Sequence, residues 1–526
     1  VKRVVGIAAG MTLLVTGICA HNGAAAAAPA GGGAAAPGPD VARAPGLEWR
    51  PCPEPAADGQ VVECAWLRVP LDHRHPEGQK IKIALNRIKG TATRGRDHLG
   101  PLLINPGGPG ASGLELAKYI ARTLPAGVIG RYDVIGFDPR GVGQSVPALS
   151  CVDPKRYFKA PRPDAVARNA AEEAVLVGRA RAYAQACGSR WAWMLPYMST
   201  EHVARDIDVI RAALGEQKIS YFGYSYGTYL GAVYASLFPG HVRRLVLDSV
   251  VDPAGDWYSS NIAQDYAFER RHRDFLAWVA RHNAVYRLGD DPEAVRVAYY
   301  AMRDRLRAHP AGKVIGPSEL DDIFTVGGYN NTVWPELAAA FSAYVRQGDG
   351  GKLVEAQRKH AQNGPKEENG YAVYLSVQCR DSTWSRDWNS WRADMIRVNR
   401  AAPFMTWPNA WYNAPCAFWS VPGGTPPRIT ASPKLPPVLM LQSRRDAATP
   451  YEGALRMRRL FPNARMVVEP GGNHGVSLGG NACVDRHLAA YLRDGTLPAS
   501  HVRPVAGPDA SCPANAAPRP ADKAAA

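Results

Sequence analysis

The residues of this chain that could do chemistry are few and far apart. The first is a serine framed by glycines, Gly223-x-Ser225-x-Gly227. An apolar run (Ile219, Tyr221, Phe222) precedes it, and Leu230, Val233, Tyr234 and Leu237 follow at helical spacing. Strand, sharp turn and helix in that order form the setting of a nucleophile elbow, which exposes a serine hydroxyl above a sheet. Strand and helix pass close together there, so the flanking positions must be small, as Gly223, Gly227 and Gly231 are. The chain carries its own control. Gly475-Val-Ser477-Leu-Gly479 fits the same pattern without the strand or the helix, and Ser477 reads as a loop serine.

A serine hydroxyl is a poor nucleophile until a base takes its proton. His474 is the candidate base and Asp446 the candidate for fixing its tautomer and stabilising its cation. Each follows directly on an expected strand, 437–442 for Asp446 and 464–469 for His474, at the sheet edge where α/β proteins hold ligands. The order Ser225, Asp446, His474 is that of α/β-hydrolases. Acyl transfer also needs donors for a developing oxyanion. The loop Asn105-Pro-Gly107-Gly108-Pro-Gly110 leaves a third expected strand, 102–104, and offers the Gly108 N–H, with the Tyr226 N–H as its partner. A phosphate cradle is excluded, because neither G-x-x-x-x-G-K-[ST] nor a full G-x-G-x-x-G is present.

The elements that must position these residues alternate. Strands are expected at 61–69, 81–88, 102–104, 132–137, before the elbow, at 244–248, 437–442 and 464–469. Helices are expected at 114–124, from Thr200 to a Gly215 cap, after the elbow and at 483–492. This is an α/β chain with a mostly parallel central sheet flanked by helices. The texture changes over 253–432, where strand signals fade and nine of the thirteen tryptophans collect. The expected organisation is a core in two parts, 46–252 and 433–512, with a large, mainly helical cap of 253–432 inserted before the last two strands.

Residues 1–30 read as an export signal: Lys2 and Arg3, then an apolar run from Val4 to Ala20, short for a membrane span. Residues 31–45, rich in Ala, Gly and Pro, and the tail 513–526 read as disordered. Eight cysteines remain beyond the signal: Cys52, Cys64, Cys151, Cys187, Cys379, Cys416, Cys483 and Cys512. An even number in an exported chain suggests disulfides, and the spacing falls into four sequential pairs, although eight cysteines allow 105 pairings. No C-x-x-C or H-E-x-x-H appears, so no metal site and no cofactor is expected. The net charge of +15 is scattered along the 526 residues, which argues for a basic solvated surface and against a nucleic-acid face. A secreted monomer, free of the membrane once the signal is removed, is the expectation.

Several stretches together carry a family resemblance. They are Asn105-Pro-Gly-Gly-Pro-Gly110, Gly136-Phe-Asp-Pro-Arg-Gly-Val-Gly143, Ala204-Arg-Asp-Ile-Asp-Val-Ile-Arg211, Ser225-Tyr-Gly-Thr-Tyr-Leu-Gly231, Phe404-Met-Thr-Trp-Pro-Asn-Ala-Trp411 and Asp446-Ala-Ala-Thr-Pro-Tyr-Glu452. From about Gly46 to Cys512 the chain resembles the secreted bacterial tripeptidyl aminopeptidases, relatives of the proline iminopeptidases. The resemblance implies a serine exopeptidase that cuts tripeptides from free peptide N-termini, and a TAP-like region at the C-terminal end of the core. Such an enzyme must bind a substrate ammonium. Glu368 and Asp381, in cap segments that look like family segments, are the expected anchors; Gln378 stands where relatives often carry Glu. The alternative is a secreted carboxylesterase or lipase with the same triad and a different pocket.

Overall fold

The computed structural model describes residues 46–520 except 54–58, 93–96, 362 and 501–506. The expected signal, the Ala/Gly/Pro segment up to residue 45 and positions 521–526 lie outside the described residues. Ten strands form one sheet: β1 (Arg50–Pro51), β2 (Glu63–Pro70), β3 (Lys80–Ile88), β4 (Pro101–Asn105), β5 (Asp133–Asp138), β6 (Ile219–Tyr224), β7 (Val242–Asp248), β8 (Val438–Ser443), β9 (Arg465–Glu469) and β10 (Ala510–Ser511). Their order is β1-β2-β3-β5-β4-β6-β7-β8-β9-β10. The pairs β1–β2, β2–β3 and β3–β5 are antiparallel, and every pair from β5 onward is parallel. The chain lays β5 on one side of β4 and β6 on the other, so the order reverses at β4. Such a switch point opens a crevice at the strands' C-terminal ends.

The middle strands β4, β8 and nearly all of β6 are buried throughout, because helices cover both faces and no strand residue there meets water. This is why they read as unbroken apolar runs. The two-residue edges β1 and β10 left no such signal. They form where tertiary neighbours hold the chain: Cys52 N–H donates to Val62 O, and Cys512 N–H donates to Val468 O.

Between β7 and β8 the structure is helical, but it is built in two parts. Helices Trp257–Arg281, Pro292–Ala308, Pro317–Tyr329 and Trp334–Gln347 share a core of their own, with Trp278, Tyr299, Phe324 and Phe341 buried inside it. Helix Pro365–Asp381 and much of the segment up to Trp419 pack instead with the sheet, through Tyr371, Leu375 and Trp419, while Phe404 joins the first cluster. Helix Ala170–Trp191 joins that second core through Tyr183 and Cys187. The single expected insertion therefore divides between one helical cluster, which Ala447 and Ala448 of the core also join, and one segment continuous with the sheet's own core. The structure pairs Cys52 with Cys64, Cys151 with Cys187, Cys379 with Cys416 and Cys483 with Cys512. Residues 513–520, expected to be loose, carry no helix or strand yet are held: Asn481 Nδ2 donates to Pro513 O, and Trp278 Nε1 donates to Pro518 O.

Two of the family-like stretches meet in a buried ion pair. Arg140, just past β5, donates through Nε and Nη2 to both carboxylate oxygens of Asp206 at 2.8 and 2.7 Å. Neither side chain meets solvent to any extent. Arg140 also donates to the carbonyls of Leu71 and Tyr197, tying the strand edge to helix Thr200–Ala213. Removing one member of such a pair strands the other charge in the interior. Arg140→Met is expected to destabilise the fold by about 3–5 kcal/mol, read as a lowered denaturation midpoint at unchanged slope.

Candidate active site

Ser225 stands between β6 and helix Tyr226–Leu237, which it caps, with φ 56° and ψ −128°, a conformation L-residues rarely adopt. Three hydrogen bonds hold it there. Ser225 N–H donates to Asp248 O at 3.0 Å, and Ser225 O accepts from the Thr228 N–H and hydroxyl at 2.8 and 2.6 Å. The flanking glycines are demanded by close approach: a Cβ on Gly227 would stand 2.7 Å from Asn105 O, and one on Gly223 would strike Gly227 O. Among the described residues the Ser225 hydroxyl has no hydrogen-bond partner, and it lines a cavity of about 1340 Å³.

The loop after β4 lies on the elbow. A Cβ on Gly107 would meet Tyr226 N at 2.9 Å and Ser225 Cβ at 3.0 Å, so only glycine lets the two backbones touch. Gly108 and Tyr226 line the cavity beside Ser225, and neither amide donates to a protein acceptor among the described residues. From the other side, Gly370 of helix Pro365–Asp381 is pressed on Gly110, where a side chain would strike Gly370 O.

Asp446 and His474 come together. His474 Nδ1 lies 3.0 Å from each Asp446 oxygen. Asp446 is buried and also accepts from the Ala448 and Thr449 N–H groups and from the Thr449 hydroxyl, each at 2.9 Å, so its orientation is set. Burial alone would lower the imidazole's pKa. The charge and hydrogen bond of Asp446 outweigh it, with Asp248 adding to them, and hold it above its ordinary value. A Cβ on Gly475 would stand 3.7 Å from the ring of Tyr224, the residue before Ser225.

Several residues supporting this loop gave no signal of their role. Asp248, at the end of β7, accepts from the Val476 and Ser477 N–H groups at 2.9 Å and from the Ser477 hydroxyl. Ser477 is thus a buried strut of the histidine loop. Burial pushes Asp248 up to about 6, against the hydrogen bonds from Ser477. Its place at a strand's C-terminal end was the available clue. The helical cap contributes the rest. Tyr329 O accepts from the His474 N–H at 2.8 Å, and the Tyr329 ring stands edge-on to the imidazole at 5.5 Å. Asn473 Oδ1 accepts from Asn331 N–H at 3.0 Å and from Arg271 Nη2 at 3.2 Å. No local pattern announces contacts across 140 residues or more.

Comparison with known proteins gives the family. Residues 100–322 match the model described as alpha/beta hydrolase fold, and residues 402–512 the model described as TAP-like protein. The chain is 43% identical to the tripeptidyl aminopeptidase of Streptomyces lividans over 90% of its own length and 88% of that protein. It belongs to the tripeptidyl aminopeptidase family of α/β-hydrolases. It is also similar to serine protease Hip1 of Mycobacterium tuberculosis, 32% identical over 86% of this chain and 90% of that one. A protein named carboxylesterase B from the same organism is 33% identical over 88% and 90%.

In this family member the two expected anchors of a substrate ammonium stand elsewhere. Neither Glu368 nor Asp381 is among the residues lining the cavity, and both are buried. Glu368 Oε1 accepts from Cys151 N–H at 2.8 Å, Val152 N–H at 3.3 Å and the Tyr183 hydroxyl at 3.0 Å. Asp381 accepts from Thr200 N–H at 2.8 Å and from its hydroxyl at 2.5 Å, and the same hydroxyl bonds the Tyr226 phenol at 2.6 Å. Their carboxylates are used to pin the Cys151 segment and the elbow helix. Asn369 between them does similar work: its side chain bonds Gly141 O, Leu149 O and Gly143 N–H.

Proposed function

We propose that this chain is a serine exopeptidase that releases short peptides, tripeptides foremost, from free N-termini. Ser225 Oγ attacks the scissile carbonyl while His474 Nε2 takes its proton; Asp446 keeps the other nitrogen, Nδ1, protonated. The Gly108 and Tyr226 amides meet the oxyanion. The tetrahedral intermediate collapses, the C–N bond breaks, and the imidazolium gives its proton to the leaving amine. Water then repeats the sequence on the acyl-enzyme and frees the peptide. The observations that carry this reading are the Asp446–His474 pair, held by three strand ends and the cap, and a strained serine on a cavity roomy enough for several residues. The likeness to a tripeptidyl aminopeptidase supports the peptide length. Four disulfides support work outside the reducing cytoplasm.

The relative named carboxylesterase B keeps a second reading in play, hydrolysis of small esters by the same residues. Three substrates separate them: a free-amino tripeptidyl amide, its N-acetylated form and a short acyl ester. The exopeptidase is expected to prefer the free amide over the acetylated one by ~100-fold or more in kcat/KM. Equal cleavage of both, with the ester turned over faster, would establish the esterase instead. Di- and tetrapeptidyl amides in the same assay set the length.

A further inference from the structure

An ammonium entering a largely apolar cavity needs an anion that is not already neutralised. Most carboxylates lining this cavity are taken. Asp252, Asp321 and Asp322 pair with Arg456, Arg303 and Arg162. Glu115 pairs with Lys118, and Asp138 accepts from the Ser112 hydroxyl and the Gln144 N–H. Asp256 and Glu367 cap the starts of their helices.

Asp265, on helix Trp257–Arg281, is different. It is 2% exposed, and no Arg or Lys among the described residues pairs with it. Its Oδ1 accepts from Asn409 Nδ2 at 2.8 Å, and Oδ2 accepts from no described group. Burial pushes its carboxyl up to about 8, the Asn409 bond opposing. Asp265 does not line the main cavity itself; it lines an adjoining chamber of about 10 Å³, room for one water-sized group, whose walls include Asn261 and Asn409, and both of these also line the main cavity. Two buried polar atoms at this junction, Asn261 Nδ2 and Gln378 Oε1, make no well-formed hydrogen bond among the described residues, on side chains of residues 8% and 4% exposed, and the Tyr374 hydroxyl is the group near both. The Tyr374 hydroxyl donates to Asn413 Oδ1 at 2.9 Å beside them. A buried carboxyl with one free oxygen, a weakly satisfied acceptor and a weakly satisfied donor together form a polar end beside the main cavity.

We propose that this pocket binds the substrate's α-ammonium, with Asp265 as its counter-charge and Gln378 Oε1 as a second acceptor, while Asn261 Nδ2 donates to the first peptide carbonyl. The proposal rests on the exopeptidase reading and names the group that makes the enzyme require a free N-terminus.

The test uses the full chain and two probes, a tripeptidyl amide and its des-amino analogue, in which hydrogen replaces the ammonium. The wild type should favour the first strongly. Asp265→Asn should collapse that kcat/KM ratio by about 100-fold, and Asp265→Glu should restore part of it. Gln378→Leu should lower the ratio by about tenfold, which keeps the idea exposed if the Asp265 variants fail to fold. A ratio unchanged in both Asp265→Asn and Gln378→Leu, with both probes slowed alike, would make this a structural network and overturn the assignment. A wild-type ratio near one would overturn the exopeptidase reading itself, and the assignment with it.

Discussion

Ser225→Ala is expected to lower kcat by about 10⁶-fold while leaving the thermal midpoint unchanged. The two halves of that result have separate causes. The hydroxyl is the attacking atom, and no neighbour can replace it. It also holds no hydrogen bond among the described residues, so its removal breaks nothing. The strain at φ 56° is imposed through Asp248 O and Thr228, and an alanine keeps the Cβ that suffers it. Turnover of a tripeptidyl amide, with labelling by a fluorophosphonate probe, reads the first half; a thermal melt reads the second. Retention of more than about 1% of turnover, or labelling that persists at Ser477, would reject Ser225 as the nucleophile.

Asp446→Asn is expected to cost about 10⁴-fold in kcat and to move the acid limb of the pH profile. An asparagine with its carbonyl oxygen in the Oδ1 place can still accept from the Ala448 and Thr449 N–H groups, and its amide, in the Oδ2 place, can donate to the Thr449 hydroxyl. Its amide then donates to His474 Nδ1, which forces the proton onto Nε2, the atom that must receive the serine proton. The pH effect follows from sign. Only neutral His474 can act as a base, so kcat/KM falls as pH drops through its pKa. Burial lowers that pKa; the Asp446 charge and bond outweigh it, so the wild-type limb lies above the ordinary histidine value of 6.5. Without the Asp446 charge the burial effect prevails, Asp248 offsetting part of it, and the limb of the residual activity moves to lower pH. A variant with the same limb, or a loss below tenfold, would show that Asp446 does not govern the imidazole.

The cap has a bearing on both results. Tyr329, Asn331 and Arg271 all bond the Asn473–His474 segment, so the imidazole is located by the sheet on one side and by the helical insertion on the other. A substrate that moves the cap would also move the base.

Read alone, the sequence decides the parts of this protein whose demands are local. Gly223, Gly227 and the Asn105–Gly110 loop are legible because a strand turning sharply into a helix tolerates no side chain at those points, whatever lies farther away. Asp446 and His474 are legible because strand ends are, and the middle strands are legible because burial on both faces leaves an unbroken apolar run. The tertiary structure decides whatever depends on a partner from elsewhere in the chain. It takes Glu368 and Asp381 away from the cavity by setting Cys151, Tyr183 and Thr200 against them. It turns Ser477 into a strut of Asp248, divides one expected cap between two cores, and leaves Asp265 without a counter-ion among the described residues. A carboxylate's role is set by which charges and donors surround it after folding, and that neighbourhood is assembled by packing between segments that sequence spacing does not relate.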